Sequence, residues 1–443
     1  MHTITVDFDK SNGKIKPMHA VNNGPVYKFA SDQRITNIDS YRAAGIPYAR
    51  THDASYFATY GGEHIVDVNF IFPDFDADPY NPDSYDFCLT DEYLHVIELA
   101  GTKTFFRLGS KIEHWKKKYN TLPPKDFKKW AVICEHIIRH YNYGWADGFN
   151  MGIEYWEIWN EPDLDHDDSE NKRCWGGTKA QFFELYDVAA THLKSCFPEL
   201  KIGGPAIACN LEWADDFLKQ LVAPLDFFSW HIYTNDPKGV VERTEYVRRM
   251  LDKYGFTDTE SILNEWNYVK GWEGDDWVYS LKSEKGLKGA SFTAGTMCAS
   301  QYTPLDMLMY YDARPCGMNG LFNTDFVNEC LKGYYPFRMF NELYKLGNSV
   351  EVTCDCDEIY VCAARSDAEY AVMLTYFSDD DSSASKQISL ALNGLTQATA
   401  QIYLLDKDND MTLVRTDSVS TENPLINLGL SLFDTYLIKF TTI

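Results

Sequence analysis

The sequence predicts an α/β protein built from a (β/α)8 TIM barrel and a C-terminal β-sandwich. Two observations support this fold class. From about residue 16 to residue 347, short apolar runs alternate with amphipathic helical stretches, which is the pattern of a parallel sheet with right-handed crossovers. From residue 348 to residue 443, short alternating segments are separated by polar turns, and this spacing is typical of a β-sandwich.

Eight segments in the first part have the composition of buried barrel strands. Most of them begin with apolar residues and end with polar ones. They span residues 19–23, 48–53, 103–108, 155–161, 201–205, 227–233, 261–267 and 318–322. Helical patterns, such as those at residues 126–141 and 179–196, separate several of these segments. Eight strands that alternate with helices predict a closed barrel.

The second part contains strand patterns only. We predict sandwich strands at residues 359–364, 370–376, 387–392, 400–405 and 435–440, with acidic turns between some of them. An opening strand at residues 3–8 is compatible with the same sandwich. The expected domains are therefore an N-terminal strand within residues 1–15 that joins the sandwich, the barrel at 16–347, and the sandwich at 348–443.

Charge restricts the possible partners. The chain has 41 Lys and Arg against 65 Asp and Glu, so its formal net charge is −24. A surface of this sign repels phosphate groups, which argues against nucleic acid and anionic membranes. No apolar stretch approaches the ~18–20 residues of a membrane span. The first nine residues have no basic and apolar leader pattern, so we expect a cytoplasmic protein unless a leader has been removed.

Metal and cofactor motifs are not apparent in the sequence. The 11 cysteines are scattered, and the one close pair, Cys354 and Cys356, has no histidine partner, so free thiols in a reducing cytosol are expected. The acidic segment at residues 163–170 has enough carboxylates for Ca²⁺ but lacks the EF-hand spacing, which favours a solvated loop. No phosphate-binding glycine loop or H-E-x-x-H motif is present, so no cofactor and no metal are expected.

Polar residues follow five of the predicted barrel strands. Because active-site groups of such barrels lie at the carboxyl ends of the strands, these side chains are expected at one mouth. They are Asn22, Asn23, His52, Asp53, Asn160, Glu161, His231, Tyr233, Asn264 and Glu265. Trp159, Trp230, Trp266 and Trp272 are nearby and are candidates for apolar walls. Many hydrogen-bonding groups beside aromatic faces indicate a carbohydrate ligand.

Two carboxylates at one mouth match the chemistry of glycosidic bond cleavage. One carboxyl group protonates the leaving oxygen, and the other attacks or stabilises the anomeric carbon. Glu161 and Glu265 are the candidates, and Glu161 should have a raised pKa through burial and its carboxylate neighbour. Interpretations without a direct role in catalysis remain open for three other residues. His231 fits a buried core histidine, Arg50 fits an ion-pair partner beneath the mouth, and His52 fits a residue that orients a carboxylate.

The motifs around these residues resemble glycoside hydrolase family 39, a family of retaining barrel glycosidases. They are YWEIWNEPD at residues 155–163, SILNEWN at 261–267, VNNGP at 21–25 and RTHD at 50–53. The resemblance covers roughly residues 15–345, and a C-terminal β-domain is also expected of the family. It implies Glu161 as acid/base and Glu265 as nucleophile. It also implies a sugar subsite with Asn160, His52, His231 and Tyr233, to which we add Asn23 and Trp272 as expected substrate-binding residues.

The sugar is less well determined by the resemblance. Xylosidases of the family usually carry Thr where this chain has Asn264, and their acidic pair after the eighth strand is missing at residues 321–330. An iduronidase would need a cationic cradle, for which Lys270 and Arg314 are the candidates, although exposed surface charge is the simpler interpretation of each. The expected substrate is therefore a glycoside or oligosaccharide of plant type with a terminal neutral pentose, xylose ahead of arabinose.

The expected activity is exo-type retaining hydrolysis by double displacement. Three alternatives stay open at this point. They are an α-L-arabinofuranosidase or another glycosidase of the same family, a transglycosylase, and a sugar-binding barrel without catalysis. A homo-oligomer is compatible with the sequence, but no spacing in it sets a subunit number.

Overall fold

A closed barrel of eight parallel strands forms the larger part of the molecule. The computed structural model describes residues 1–27, 36–54 and 62–442. Strand β1 (His2–Lys14) precedes the barrel and is not part of it. The barrel strands are β2 (Ala20–Asn22), β3 (Tyr48–Thr51), β4 (Lys103–Leu108), β5 (Tyr155–Ile158), β6 (Lys201–Ile207), β7 (Phe227–Thr234), β8 (Glu260–Tyr268) and β9 (Met307–Tyr310). Strand β2 pairs with both β3 and β9, which closes the barrel as predicted.

Helices surround the barrel and cover its outer face. They are α1 (Ile38–Ala44), α2 (Val68–Ile71), α3 (Cys88–Leu99), α4 (Phe127–Tyr143), α5 (Lys179–Cys196), α6 (Leu211–Gln220), α7 (Pro237–Lys253), α8 (Gly274–Glu284), α9 (Leu287–Gln301) and α10 (Tyr335–Leu346). Short 3-10 turns occur at Gly62–His64, Pro82–Ser84 and Lys332–Tyr334. Helix α5 begins at a capping box in which Thr178 and Gln181 satisfy each other's backbone N–H groups.

The eighth barrel strand is not where the sequence pattern predicts it. It lies at Met307–Tyr310, whereas the predicted segment 318–322 forms the loop that follows. The side chain of Asn319 holds this loop by accepting hydrogen bonds from the backbone N–H groups of Leu321 (2.8 Å) and Phe322 (3.0 Å). The ring of Phe322 is buried and stacks on Tyr41 of α1, with ring centroids 5.8 Å apart. The apolarity of this loop therefore reflects packing under a helix, not a strand.

The remaining strands form one strongly curved sheet around a second core. They are β10 (Asn348–Cys354), β11 (Ile359–Arg365), β12 (Glu369–Tyr376), β13 (Lys386–Asn393), β14 (Gln397–Leu405), β15 (Asp410–Ser420), β16 (Leu425–Leu430) and β17 (Thr435–Thr442). With β1 they make a nine-stranded sheet in the order β15-β14-β17-β12-β11-β10-β1-β13-β16. Side chains of β1, β12, β13, β14 and β16 share one buried apolar cluster. The predicted β-sandwich-like part with an N-terminal strand is confirmed, and the domain limits stay a prediction.

The outer face of this sheet packs on the barrel through helix α9, which is buried along almost its whole length. The Sγ atoms of Cys298 and Cys362 lie 3.1 Å apart across this contact, and the hydroxyl groups of Ser291 and Thr375 are 2.8 Å apart. All 11 cysteines are free thiols, in agreement with the prediction. Within the described residues, no helix combines the length and the apolarity needed to cross a bilayer. The expected cytoplasmic location stays a prediction.

Candidate active site

Glu161 lies three residues beyond the end of β5 on a strained turn. Trp159 has φ +75° and Glu161 has φ +49°, a left-handed region that side chains with a Cβ rarely adopt. The backbone N–H of Glu161 donates to the carbonyl of Ala206 at 2.9 Å, which fixes the turn against the carboxyl end of β6. Non-glycine residues with positive φ cluster at functional sites, where the surrounding structure holds them in place.

Glu265 lies within β8. An irregularity in the pairing of β8 with β7 determines which residue lies opposite Glu265. The register shifts between Trp230 and His231, so that His231 pairs with Glu265 and Trp230 with Leu263. Such bulges re-aim side chains next to active sites. Here the bulge puts the imidazole of His231 beside the Glu265 carboxylate.

Carboxylate oxygens of Glu161 and Glu265 and a ring nitrogen of His231 all lie within 4.8 Å of one another. His231 Nδ1 is 2.9 Å from Glu161 Oε1 and 3.5 Å from Glu265 Oε2. Its other ring nitrogen, Nε2, is buried and has no hydrogen-bond partner among the described residues. The structure therefore brings together the two predicted carboxylates and links them through the predicted histidine.

The two carboxylates have different hydrogen-bond donors. Glu265 Oε2 accepts from the hydroxyl of Tyr233 at 2.9 Å, and Oε1 accepts from Arg50 Nη1 at 2.9 Å. His52 Nε2 is 3.5 Å from the same Oε1. Besides the histidine contact, Glu161 Oε2 accepts only a weak hydrogen bond, at 3.7 Å, from the thiol of a buried cysteine, Cys174. Glu265 thus accepts hydrogen bonds from a cation and a phenol, whereas no charged group of the described residues is in hydrogen-bond contact with Glu161 apart from a histidine that burial keeps neutral.

Arg50 forms the floor beneath these groups. It is completely buried, and besides Glu265 it donates to Glu157 Oε2 (2.6 Å), Asn22 Oδ1 (3.0 Å) and Asn160 Oδ1 (2.6 Å). The ion-pair interpretation of Arg50 is confirmed. Its partner Glu157 was not predicted, although a charged residue inside the apolar run of β5 was a visible signal.

Burial is the main electrostatic influence on the site. It raises the pKa of Glu161 to about 7 against the opposing effect of Arg50. Burial also raises the pKa of Glu265; the charge of Glu161 adds to this effect, while His231 and Arg50 oppose it. Burial lowers the pKa of His52 and of His231 below the ordinary histidine value, which favours neutral imidazoles. The predicted rise for Glu161 is present, with burial as its largest cause.

Similarity to known proteins identifies the family of this chain. The family model of glycosyl hydrolases family 39 matches residues 3–267. The chain belongs to glycosyl hydrolases family 39. The predicted family is confirmed, and the fold, the polar strand ends and the paired carboxylates are consistent with it.

Sequence relatives of this family 39 chain include two β-xylosidases. That of Caldicellulosiruptor saccharolyticus is 34% identical over 141 residues, which are 31% of this chain and 25% of the relative. That of Geobacillus stearothermophilus is 30% identical over 181 residues, 35% of this chain and 33% of the relative. The chain therefore aligns with only a quarter to a third of the length of these relatives.

Solved structures match the family 39 chain over its whole length. A glucosidase from Croceicoccus marinus gives a TM-score of 0.78 at 21% identity, covering 100% of this chain and 99% of the other. A monomeric β-xylosidase from Caulobacter crescentus gives 0.72 at 17%, covering all of both chains. An α-L-arabinofuranosidase from Thermotoga maritima gives 0.68 at 14%, covering 99% of both. At these identities the likeness establishes the fold alone.

Three of the four tryptophans proposed as walls of the family 39 site are in the core. Trp159, Trp230 and Trp266 are at most 2% exposed. Trp159 packs against Trp130 of α4 and Trp266 against Phe292 of α9, with ring centroids 6.0 and 6.1 Å apart, and Trp230 belongs to the same buried cluster, so these rings lie under the helices. Trp272 is 56% exposed and stands edge-on to Tyr233, with ring centroids 5.0 Å apart. Only Trp272 fits the predicted role.

Asn23 supports the site from behind. Its Nδ2 donates to Asp312 Oδ1 at 2.8 Å, and its Oδ1 accepts from the backbone N–H of His52 at 3.3 Å. Asn160 is likewise engaged through its Oδ1 with Arg50. The amide Nδ2 of Asn160 is the group of that side chain left for a ligand.

The two candidate cations of the family 39 chain are both engaged. Arg314 Nη2 is 3.1 Å from Asp53 Oδ2 and Nε is 3.3 Å from Asp312 Oδ2, and its side chain is only 21% exposed. Arg314 is therefore a paired, largely buried cation, and its interpretation as exposed surface charge is wrong. Lys270 Nζ lies over the ring of Tyr279, 5.0 Å from its centroid. Neither is arranged as a cradle for a sugar carboxylate.

The acidic segment after Glu161 is partly tied down. The carboxylate of Asp163 is buried and accepts the backbone N–H groups of residues 208, 209 and 210, at the start of α6. Asp165 forms a bidentate pair with Arg173. These two carboxylates fix the loop internally, whereas Asp167 and Asp168 face solvent, as expected for a βα loop.

Proposed function

We propose that this protein is a retaining glycoside hydrolase that removes a terminal neutral pentose, xylose ahead of arabinose, from plant-type glycans. The observation that supports this most directly is the approach of the Glu161 and Glu265 carboxylate oxygens to within 4.8 Å. Retaining enzymes hold their carboxyl groups about 5–5.5 Å apart, and inverting enzymes hold them about 6.5–9.5 Å apart to admit a water. The spacing supports direct attack by a carboxylate.

Glu265 is the nucleophile in this proposal. Arg50 and Tyr233 donate to its two oxygens, which keeps it ionised and oriented for attack on the anomeric carbon. Attack forms a covalent glycosyl ester and breaks the bond to the leaving oxygen. The phenol of Tyr233 remains as a hydrogen-bond donor beside the reacting oxygen.

Glu161 is the acid and then the base. With a pKa raised to about 7, a large fraction of Glu161 is protonated at neutral pH and can protonate the leaving oxygen. Once ionised, it takes a proton from the water that hydrolyses the glycosyl ester, and the cycle closes with retained configuration. His231, 2.9 Å away, orients this carboxyl through both steps.

The sugar assignment depends on charge and on the relatives. Among the described residues of the site, Arg50 and Arg314 are both engaged in ion pairs with acidic side chains, which argues against binding of a uronic acid. Asn160, His52, His231 and Tyr233 would bind the hydroxyl groups of the sugar, and Trp272 would cover one of its faces. Two sequence relatives are named β-xylosidases, which supports xylose, while the arabinofuranosidase fold neighbour keeps arabinose as the alternative.

The test is hydrolysis of a panel of p-nitrophenyl glycosides: β-xyloside, α-L-arabinofuranoside, α-L-arabinopyranoside, β-glucoside and β-galactoside. We expect the β-xyloside to be cleaved, and proton NMR to detect β-xylose before its α-anomer. Glu265→Ala should abolish turnover. Glu284→Gln is the matched control, since Glu284 is a buried glutamate of α8 that lies outside the site. Release of the α-anomer first, or full activity of Glu265→Ala, would overturn the mechanism.

A further inference from the structure

Three side chains with different metal-binding chemistry converge on the outer surface of the barrel, away from the candidate active site. They are Glu135 of α4 and His192 and Cys196 of α5, and one ligand atom of each lies within 4.8 Å of the others. No sequence motif predicts this cluster, because Glu135 and His192 are 57 residues apart.

Helix geometry explains the convergence. His192 and Cys196 are four residues apart on α5 and therefore occupy the same face of the helix. Helix α4 packs alongside and directs Glu135 to that face, so that His192 Nε2 lies 2.7 Å from Glu135 Oε2. Cys196 Sγ lies 3.9 Å from the same ring nitrogen. One imidazole nitrogen is thus flanked by a thiol and a carboxylate.

We propose that Glu135, His192 and Cys196 form a zinc-binding site. With the usual Zn–N, Zn–S and Zn–O bond lengths, a tetrahedral ion separates its nitrogen and sulfur ligands by about 3.6 Å and its nitrogen and oxygen ligands by about 3.4 Å. The present separations of 3.9 Å and 2.7 Å differ from these values by less than the freedom of the side chains. The combination of thiolate, imidazole and carboxylate is the donor set that Zn²⁺ prefers.

The surroundings support and orient the ligands. Arg139 Nε donates to Glu135 Oε1 at 2.6 Å and leaves Oε2 facing the histidine. Groups that hold the free end of a metal ligand in this way are common around zinc sites. The side chains of His192 and Glu135 are 31% and 11% exposed, so water can reach the fourth coordination position. The site is therefore built from three protein ligands and one solvent molecule.

Zinc binding releases protons from the side chains that become its ligands. The Cys196 thiol releases one proton as it becomes a thiolate, and any proton held between His192 Nε2 and Glu135 Oε2 moves away as the ion enters. The thiolate and carboxylate charges balance the two charges of the ion, and Arg139 retains its contact with Oε1. Zinc binding should accordingly weaken as the pH falls.

The site lies far from the mouth of the barrel. Cys196 is the last residue of α5, and β6 begins five residues later at Lys201, so the cluster lies near the amino ends of the strands. A metal here ties α4 to α5 and stabilises the folded chain. It does not touch the groups proposed for hydrolysis.

Cobalt substitution tests the proposal. The purified full-length chain is freed of metal with EDTA, titrated with Co²⁺, and followed by the near-ultraviolet absorption of a cobalt–thiolate bond. Zinc affinity is measured in parallel by competition with a chromophoric chelator. We expect a thiolate band in the wild type, its loss in Cys196→Ser, and a decrease in zinc affinity of roughly a hundredfold or more in Cys196→Ser and His192→Asn.

Cys88→Ser is the matched control, because Cys88 is an exposed thiol at the start of α3 and is remote from this cluster. It should keep both the band and the affinity. Absence of a thiolate band in the wild type, or its persistence in Cys196→Ser, would overturn the proposal. Metal bound at the Glu161–His231–Glu265 cluster has the Cys174 thiol within reach, but a thiolate band from that site would persist in Cys196→Ser, so this variant distinguishes the two sites.

Discussion

The thiol of Cys174 donates a hydrogen bond to Glu161 Oε2 at 3.7 Å, on the oxygen opposite to the one that faces His231. The contact brings the loop between β5 and α5 back over the turn that carries Glu161. A thiol is a weak donor, and it favours the ionised form of the carboxyl group that it contacts. Cys174 therefore adjusts the acidity of the proposed acid/base.

Substitution of Cys174 should move the alkaline limb of the kcat/KM profile. That limb reports the loss of the Glu161 proton, at a pKa of about 7. In Cys174→Ala the donor is lost and the limb should move to higher pH, whereas in Cys174→Ser the stronger hydroxyl donor should move it to lower pH. Each change should be less than about one pH unit. With Cys88→Ala as the control, a limb that moves in the same direction in both Cys174 variants would contradict the assignment.

Removal of Arg50 should destabilise the whole molecule. Its guanidinium is completely buried, and Arg50→Met leaves the buried carboxylate of Glu157 without its cation. Breaking a buried ion pair in this way costs about 3–5 kcal/mol in the free energy of unfolding, measured by urea denaturation. Arg415→Met removes a half-exposed pair with Asp417 and should change stability by less than about 1 kcal/mol. Equal losses in the two variants would show that Arg50 is not a buried anchor.

Glu284 should make stability fall as the pH rises. Both of its carboxylate oxygens are buried without a hydrogen-bond partner among the described residues, and burial raises its pKa from 4.5 to about 8. The protonated form is favoured in the folded state, so its contribution is fully present below pH 4.5 and is lost as the pH rises through about 8. Glu284→Gln removes this loss.

The Tm of Glu284→Gln should therefore exceed that of the wild type by about 3 °C or more at pH 8, and the difference should shrink towards pH 5. Differential scanning fluorimetry across this range provides the measurement. A difference that does not vary with pH would mean that the pKa of Glu284 is the same in the folded and the unfolded chain, so that burial does not shift it.

The β-sandwich should contribute to turnover through Asp379. The carboxylate of this residue accepts from Asn235 Nδ2 at 2.7 Å and from the Tyr268 hydroxyl at 2.5 Å, and Lys288 Nζ lies 2.9 Å from it. Asn235 follows β7 and Tyr268 ends β8, the strands that carry His231 and Glu265.

Asp379→Ala should release both strand ends and lower kcat by about two- to tenfold with little change in KM, since small misplacements of reacting groups slow the chemical step. The neighbouring Asp380→Ala is the control, because the exposed carboxylate of Asp380 accepts hydrogen bonds from Ser382 within its own turn. An unchanged kcat in Asp379→Ala would mean that the barrel alone fixes the positions of His231 and Glu265.

Local sequence patterns were sufficient to predict the barrel fold and to select its two candidate carboxylates. Glu161 and Glu265 each follow an apolar strand run with one asparagine between, and the fold class then puts both at the same mouth. The eighth strand was missed because Met307–Tyr310 is only four residues long, while the loop at 318–322 also contains apolar residues, namely Met318, Leu321 and Phe322. Apolar residues occur both in short buried strands and in buried loops. What distinguishes Met307–Tyr310 as the strand is its pairing with β2 and β8.

Contacts between distant residues could not be predicted in the same way. Cys174 lies in the loop between β5 and α5, which folds back onto Glu161. Glu157 of β5 contacts Arg50 of β3, with β4 between them. The outward direction of Trp266 could have been predicted from the sequence. Successive side chains of a strand point to opposite faces, and its neighbour Glu265 points to the mouth. The zinc ligands on α4 and α5 depend on how two helices pack, which no motif in either helix encodes.

The position of strand β1 has a consequence for biosynthesis. Its residues pair with β10 on one side, as in Val6 opposite Val352, and with β13 on the other, as in Val6 opposite Leu392. Strand β1 thus leaves the ribosome well before β10 (Asn348–Cys354) and β13 (Lys386–Asn393), and it has neither pairing partner until these strands are translated. The barrel can form in the meantime, but the second core closes only after β13 and its neighbours emerge. A nascent chain of this protein carries an unpaired apolar strand for most of its synthesis, and a chain truncated before β10 would keep that strand exposed permanently.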